Sequence, residues 1–213
     1  MKLLLTSAGI RNRSLASALE DLVGKIPAET RVGFVPTSAN AHTGNKDWFI
    51  SQLSDLQRFG FAWIDIVDFA APGIDWRKRL NTVDVLFVSG GNTFYLLDQC
   101  HKSGFDVWLR QNLERIIYVG SSAGSILLTP SIAIATVEPA DENPTLLKDF
   151  SALHIVDFEI SPHSPNIVSY EHNEKYAKNL GHTLYAIDDE TGIKIFDGRM
   201  EIVSEGKWRK MGK

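Results

Sequence analysis

A chain of 213 residues, 44% of them apolar, can bury one sizeable core, so we expect a single α/β domain over residues 1–213 with one site. Lys plus Arg number 22 against 26 Asp plus Glu, a net charge of −4, which leaves no overall positive field to hold nucleic acid or an anionic membrane. The single cysteine, Cys100, forbids an intramolecular disulfide and reads as a small buried hydrophobe in a reducing, cytoplasmic setting.

Lys2–Thr6 opens the chain as a strand. Its apolar run stops at Thr6, with Arg11 soon after, too short for the apolar region of a signal peptide, and no later stretch is long enough to span a bilayer. Helical spacing over Ser14–Val23 precedes a second strand, Arg31–Pro36. A helix is expected over Asn45–Phe59, where Trp48, Phe49, Leu53 and Leu56 recur at intervals of three to four residues as a buried stripe. Strands at Ala62–Val67, Val83–Val88 and Ile116–Val119 follow, with a helix over Thr93–Lys102. Continuous apolar runs such as Val85-Leu86-Phe87-Val88 suit a mostly parallel sheet covered on both faces, hence a doubly wound α/β fold flanked by helices. Beyond the fifth strand come Thr129–Ala135, a polar Glu138–Asn143 stretch, an apolar Ile155–Ile160 run and a helix at Ser169–Leu180. The chain closes with hairpin-like strands Thr183–Ile187, Ile193–Phe196 and Glu201–Val203, separated by Asp188–Gly192 and the Asp197-Gly198 turn. Ligands of open α/β sheets bind at the carboxyl ends of the strands, so the segments after Pro36, Val88, Val119 and Ile160 are the places to look for chemistry.

After the fifth strand, Gly120-Ser121-Ser122-Ala123-Gly124 fits G-x-S-x-G between a buried strand and a helix start. Such a turn projects the oxygen of Ser122 above the sheet and leaves the amide of Ala123 free to donate to an oxyanion; the bland alternative is a small-residue turn needed only for packing. Val88-Ser89-Gly90-Gly91-Asn92-Thr93 ends the preceding strand. There the N–H of Gly91 could complete a two-donor oxyanion hole, with a Cβ at that position obstructing the substrate, while Asn92 or Thr93 caps the next helix. A phosphate cradle is disfavoured, because the lysine of a P-loop and the Rossmann glycine spacing are both missing.

Serine needs a base, and the six histidines are His42, His101, His154, His163, His172 and His182. His101 and His172 fall in helices and His182 precedes a strand, which suits surface roles. His163 lies in Ser161-Pro162-His163-Ser164-Pro165-Asn166 at a strand end, where two prolines can hold an imidazole in one orientation, or the histidine can simply cap a turn. Three adjacent acids, Asp188, Asp189 and Glu190, follow the apolar run Leu184–Ile187. Such a cluster is usually a solvated turn, but one of its members could accept the other ring N–H of His163.

Gly90-Gly91-Asn92-Thr93, Gly120-Ser121-Ser122-Ala123-Gly124 and Pro162-His163 together resemble the peptidase E family, the aspartyl dipeptidase and cyanophycinase group of serine peptidases, over nearly the whole chain. The resemblance implies a fold like class I glutamine amidotransferase domains, a Ser-His-acid triad in that chain order, and no metal or organic cofactor. It matches the nucleophile to Ser122, the base to His163 and the oxyanion donors to Gly91 and Ala123. Ungapped alignment puts the acid at Asp189; the family more often has glutamate, which keeps Glu190 as an alternative acid, with Asn92 as a possible substrate contact. An α/β-hydrolase would place its acid before the histidine, where Asp141, Asp149 and Asp157 also lie, but few residues remain for its usual strands and cap.

The expectation is therefore a serine peptidase acting on short peptides through an acyl-enzyme, as a monomer or homodimer. The alternatives are a hydrolase of another small amide or ester, or a non-catalytic binding module on the same fold. The resemblance suggests an N-terminal aspartyl dipeptide as substrate. Against strict Asp specificity, no arginine lies between Arg115 and Arg199, and the segment carrying His163 offers only Lys148, Lys175, Lys178 and Lys194. The loop Thr37–Gly44 is either a substrate-contacting segment or a polar connection.

Overall fold

A computed structural model describes residues 1–212. Its larger sheet has seven strands, β1 (Lys2–Thr6), β2 (Arg31–Val35), β3 (Trp63–Ile66), β4 (Val85–Val88), β5 (Ile117–Ser121), β8 (Thr191–Phe196) and β9 (Arg199–Ser204). They lie in the order β3-β2-β4-β5-β1-β8-β9, the first five parallel and the last two antiparallel to their neighbours.

The unbroken apolar runs have a simple cause: successive side chains enter two different cores. Leu4, Val85, Phe87, Ile117 and Val119 pack on one face, against Leu15, Leu19 and Leu22 of α1 (Arg13–Val23) and Leu56 of α2 (Asp47–Arg58). Leu3, Leu5, Leu86, Val88 and Tyr118 face the other core, with α3 (Trp76–Leu80), α4 (Thr93–Ser103), α5 (Phe105–Asn112) and the short α6 (Ala123–Ile126). The two helix ends that bound α1 are read directly from the chain, since Asn12 caps it through Leu15 N–H at 2.9 Å and Gly24 closes it in the left-handed conformation. Among the described residues no helix is long and apolar enough to cross a membrane.

The end of the chain departs from the expected hairpins. The Asp197-Gly198 turn does join β8 to β9, but the preceding strand, β7 (Thr183–Ile187), pairs instead in parallel with β6 (Phe158–Ser161) and antiparallel with β10 (Trp208–Gly212) in a second, three-stranded sheet. The acidic turn after β7 is thus a crossing between sheets. Asp188 builds it, accepting from Thr191 Oγ1 at 2.7 Å, from the N–H of Glu190 at 3.1 Å and from the N–H of Lys207. The helices α3 and α5 and the strand β10 were not expected, and α7 (Tyr170–Ala177) is shorter than its sequence window. Ile160, Leu184 and Ile187 of the small sheet join the same core as Leu5 and Tyr118, so its strand ends are packed against those of the large sheet.

Candidate active site

Three adjacent parallel strands of the large sheet, β4, β5 and β1, end on Gly90–Gly91, Ser122 and Ser7. The parallel strands β6 and β7 of the small sheet end on His163 and Asp189. All of these residues line one cavity of about 400 Å³.

Ser122 sits at φ 48° and ψ −111°, a conformation that costs a non-glycine residue energy and that the surrounding contacts must hold. They converge on one carbonyl: Ser122 N–H donates to Thr6 O at 3.0 Å, and Ser125 Oγ donates to the same oxygen at 2.7 Å. Gly124 permits the close approach, because a Cβ there would lie 2.2 Å from Val88 O. The helix that follows, α6, has only four residues. Ser121, by contrast, is fully buried and receives Gln52 Nε2 at 3.1 Å, so the two serines of the motif face different surroundings.

His163 Nε2 lies 3.1 Å from Ser122 Oγ, and its Nδ1 lies 2.6 Å from Asp189 Oδ1. A carboxylate can only accept, which assigns the ring proton to Nδ1 and leaves Nε2 bare to take the serine proton. Burial alone would raise the pKa of Asp189; the His163 hydrogen bond and charge, the Ser7 hydroxyl and the Arg11 charge outweigh it and hold the carboxyl below its ordinary value. The other acids are occupied elsewhere. Asp188 shapes the turn, and Glu190 Oε2 accepts from Asn12 Nδ2 at 3.0 Å.

Neither the N–H of Gly91 nor that of Ala123 donates to another group among the described residues. The two turns are in contact, since a Cβ on Gly90 would lie 3.2 Å from Ser122 Cβ. The need for glycine at 91 has a different cause from the one expected. Gly91 has φ 137°, and a Cβ there would strike the Ser38 carbonyl group at 2.5 Å, so the obstruction is within the protein fold itself. Asn92 is the expected helix cap, its Oδ1 accepting Tyr95 N–H at 2.8 Å, while its Nδ2 donates to Glu142 O at 2.7 Å and it is not among the residues lining the cavity.

The structure adds three residues that the sequence did not single out. Ser7 is fully buried and touches both His163 and Asp189. Gln52 occupies a buried position on α2 where an apolar residue would fit the stripe, and it faces the cavity. Arg11 lines the cavity, makes a loose ion pair with Asp55 at 3.8 Å, and donates no side-chain hydrogen bond among the described residues. Arg11 thus brings to the cavity a cation from outside the segment between Arg115 and Arg199. From the Thr37–Gly44 loop, His42 reaches the cavity, while Ser38 is buried and donates to Ser89 O at 2.8 Å. Of the remaining histidines, His101 and His154 pair with Asp106 and Asp157, and His182 bonds the buried Glu159 at 3.0 Å. The rest of the cavity wall is largely apolar, including Ile134, Val137 and Val168.

The family model "Peptidase family S51" matches residues 3–207. An uncharacterized peptidase of Listeria monocytogenes is 32% identical over 199 residues, covering 87% of this chain and 95% of its own. An uncharacterized peptidase of Pasteurella multocida is 26% identical over 179 residues, 82% of this chain and 85% of its own. Peptidase E of Streptomyces coelicolor is 32% identical over 154 residues, 70% of this chain and 57% of its own. Among solved structures, a Listeria monocytogenes protein assigned to peptidase E superposes with a TM-score of 0.80 at 22% identity, covering 96% of this chain and 98% of that one, which establishes the likeness of fold.

Proposed function

Because the chain belongs to peptidase family S51 and is a peptidase, we propose that it hydrolyses short peptides through an acyl-enzyme on Ser122. The observation that carries this reading is the unbroken line from Ser122 Oγ to His163 Nε2 at 3.1 Å and from His163 Nδ1 to Asp189 Oδ1 at 2.6 Å. Ser122 Oγ attacks the scissile carbonyl as its proton passes to Nε2, and Asp189 stabilises the imidazolium. The oxyanion is met by the unspent N–H groups of Gly91 and Ala123. His163 then gives the proton to the leaving amine. A water, deprotonated by the same nitrogen, adds to the acyl carbonyl, and collapse of that adduct releases the acid and restores Ser122.

Arg11 is the cavity's unspent fork of donors, which supports a substrate bearing a carboxylate, either an N-terminal Asp side chain or the free end of a dipeptide. The apolar wall accepts the remaining side chain. We place the reaction in the cytoplasm on the strength of the lone, fully buried Cys100.

The test is labelling with a fluorophosphonate, wild type beside Ser122→Ala and His163→Ala, followed by hydrolysis of short peptides with acidic and neutral first residues. Labelling that requires both residues, with peptide turnover reduced by about 10⁴-fold or more in Ser122→Ala, is the expected result. A well-folded wild type that neither labels nor hydrolyses any peptide would turn the reading toward a binding module; labelling together with hydrolysis of a simple ester but of no peptide would turn it toward another hydrolase. Arg11→Ala should raise KM about tenfold to a hundredfold for peptides bearing the recognised carboxylate, and much less for their amidated counterparts.

A further inference from the structure

Ser7 follows β1 in the large sheet and is completely buried, yet its hydroxyl serves residues carried by the small one. It donates to Asp189 Oδ1 at 2.8 Å and accepts the backbone N–H of His163 at 2.8 Å. Its own N–H donates to Thr191 O at 3.3 Å, just beyond the acidic turn. One side chain is therefore bonded to the loop after β6 and to the turn after β7. His163 has a φ of 58°, a left-handed backbone that persists only where its surroundings hold it, and the bond to Ser7 is made by that same residue's N–H.

We propose that Ser7 is a positioning residue, which holds His163 and Asp189 in register with Ser122 across the junction of the two sheets. This inference rests on the roles given above to those three residues. Two donors, the Ser7 hydroxyl and the His163 Nδ1–H, converge on one oxygen of Asp189, at 2.8 Å and 2.6 Å, and this fixes where the carboxylate sits. The charges that act on Asp189 besides this pair of donors come from His163 itself and from Arg11. Without the hydroxyl Asp189 keeps His163 as its remaining donor, the N–H of His163 loses its acceptor, and the carboxylate charge falls more fully on the imidazole. The protonated form of the His163–Asp189 pair is then favoured.

Steady-state kinetics across pH on wild type, Ser7→Ala and Ser7→Thr, with Ser122→Ala as the blank, tests this. Ser7→Ala should lower kcat about tenfold to a hundredfold, the size of one lost hydrogen bond to a charged group, and leave KM within about threefold. The acid limb of its kcat/KM profile should move to higher pH, and Ser7→Thr, which keeps the hydroxyl, should recover most of the loss. Wild-type kcat and an unmoved acid limb in Ser7→Ala, with Ser122→Ala inactive, would overturn the inference and leave the proposed function standing. A loss in Ser7→Ala that tracks a lower melting temperature, with no shift of the acid limb and no recovery in Ser7→Thr, would also overturn it, since Ser7 would then act by packing. Full turnover in Ser122→Ala would instead remove the reading on which the inference depends.

Discussion

The two sheets hold their shares of the site by different means. In the large sheet the Ser122 turn rests on strands buried on both faces, and main-chain carbonyls are the acceptors that fasten it: Thr6 O takes Ser122 N–H at 3.0 Å, and Gly124 O takes Tyr118 Oη at 2.6 Å. In the small sheet, three strands with an exposed edge strand carry His163 and Asp189, and charged or hydroxyl side chains are the acceptors that do much of the fastening. Asp188 builds the turn, Ser7 bonds the two site residues, and Glu159, 1% exposed, accepts from Tyr176 Oη at 2.7 Å and meets His182 Nε2 at 3.0 Å. Burial and then the bond and charge of Glu159 push the Tyr176 phenol well above its ordinary value, so it stays a donor. Hydrophobic packing is indifferent to pH and to single polar substitutions, whereas a hydrogen-bonded scaffold is sensitive to both.

The comparison breaks most visibly at the acid. Asp189→Asn should lower kcat by about 10³–10⁴-fold, because the amide favours the wrong ring tautomer, while Glu190→Gln should stay within about threefold. Equal losses in the two variants would mean that the turn as a whole, rather than Asp189, serves His163. The same pair sharpens the pH contrast. A carboxyl with a folded pKa below its ordinary 3.8 stabilises the fold above that pH and loses the contribution as pH falls through the folded value. The melting-temperature gap between wild type and Asp189→Asn should therefore be widest near neutrality and close below about pH 4; a gap that does not change with pH would contradict the assigned ion pair. The smallest expected effect lies far from the chemistry. Glu159→Gln keeps the shape of the buried acceptor but removes its charge, and should cost about 1–3 kcal/mol in a denaturant titration, with little change in the rate of Ser122 labelling. A large fall in labelling with no change in stability would show that the small sheet transmits more to the site than its hydrogen bonds suggest.

Legibility in the sequence divides along the same line. Lys2–Thr6 and Val85–Val88 were readable because a strand buried on both faces needs an unbroken apolar run, and Gly120–Gly124 because a strained turn at such a strand end admits few residues. The pairing of β7 was not readable, since Asp188–Gly192 has the composition of a hairpin turn whether its flanking strands meet each other or part into two sheets. β10 escaped because its residues Trp208, Arg209 and Lys210 are exposed and carry no alternating pattern. Local pattern did not sort the acids from their neighbours, and only the ungapped alignment with the family pointed to Asp189: Asp188, Asp189 and Glu190 differ through what each meets, Thr191 and Lys207, His163, or Asn12.

By itself, then, the sequence determined the parallel sheet, the serine turn with its glycines and the histidine on its proline-flanked loop, because each follows from local period, turn chemistry and side-chain type. Tertiary structure alone decided that Ser7 joins the two sheets and that Arg11 faces the cavity, and it turned the alignment of Asp189 into a contact with His163. Those facts depend on contacts between residues such as Ser7 and Asp189, 182 positions apart, and no local pattern records such distances.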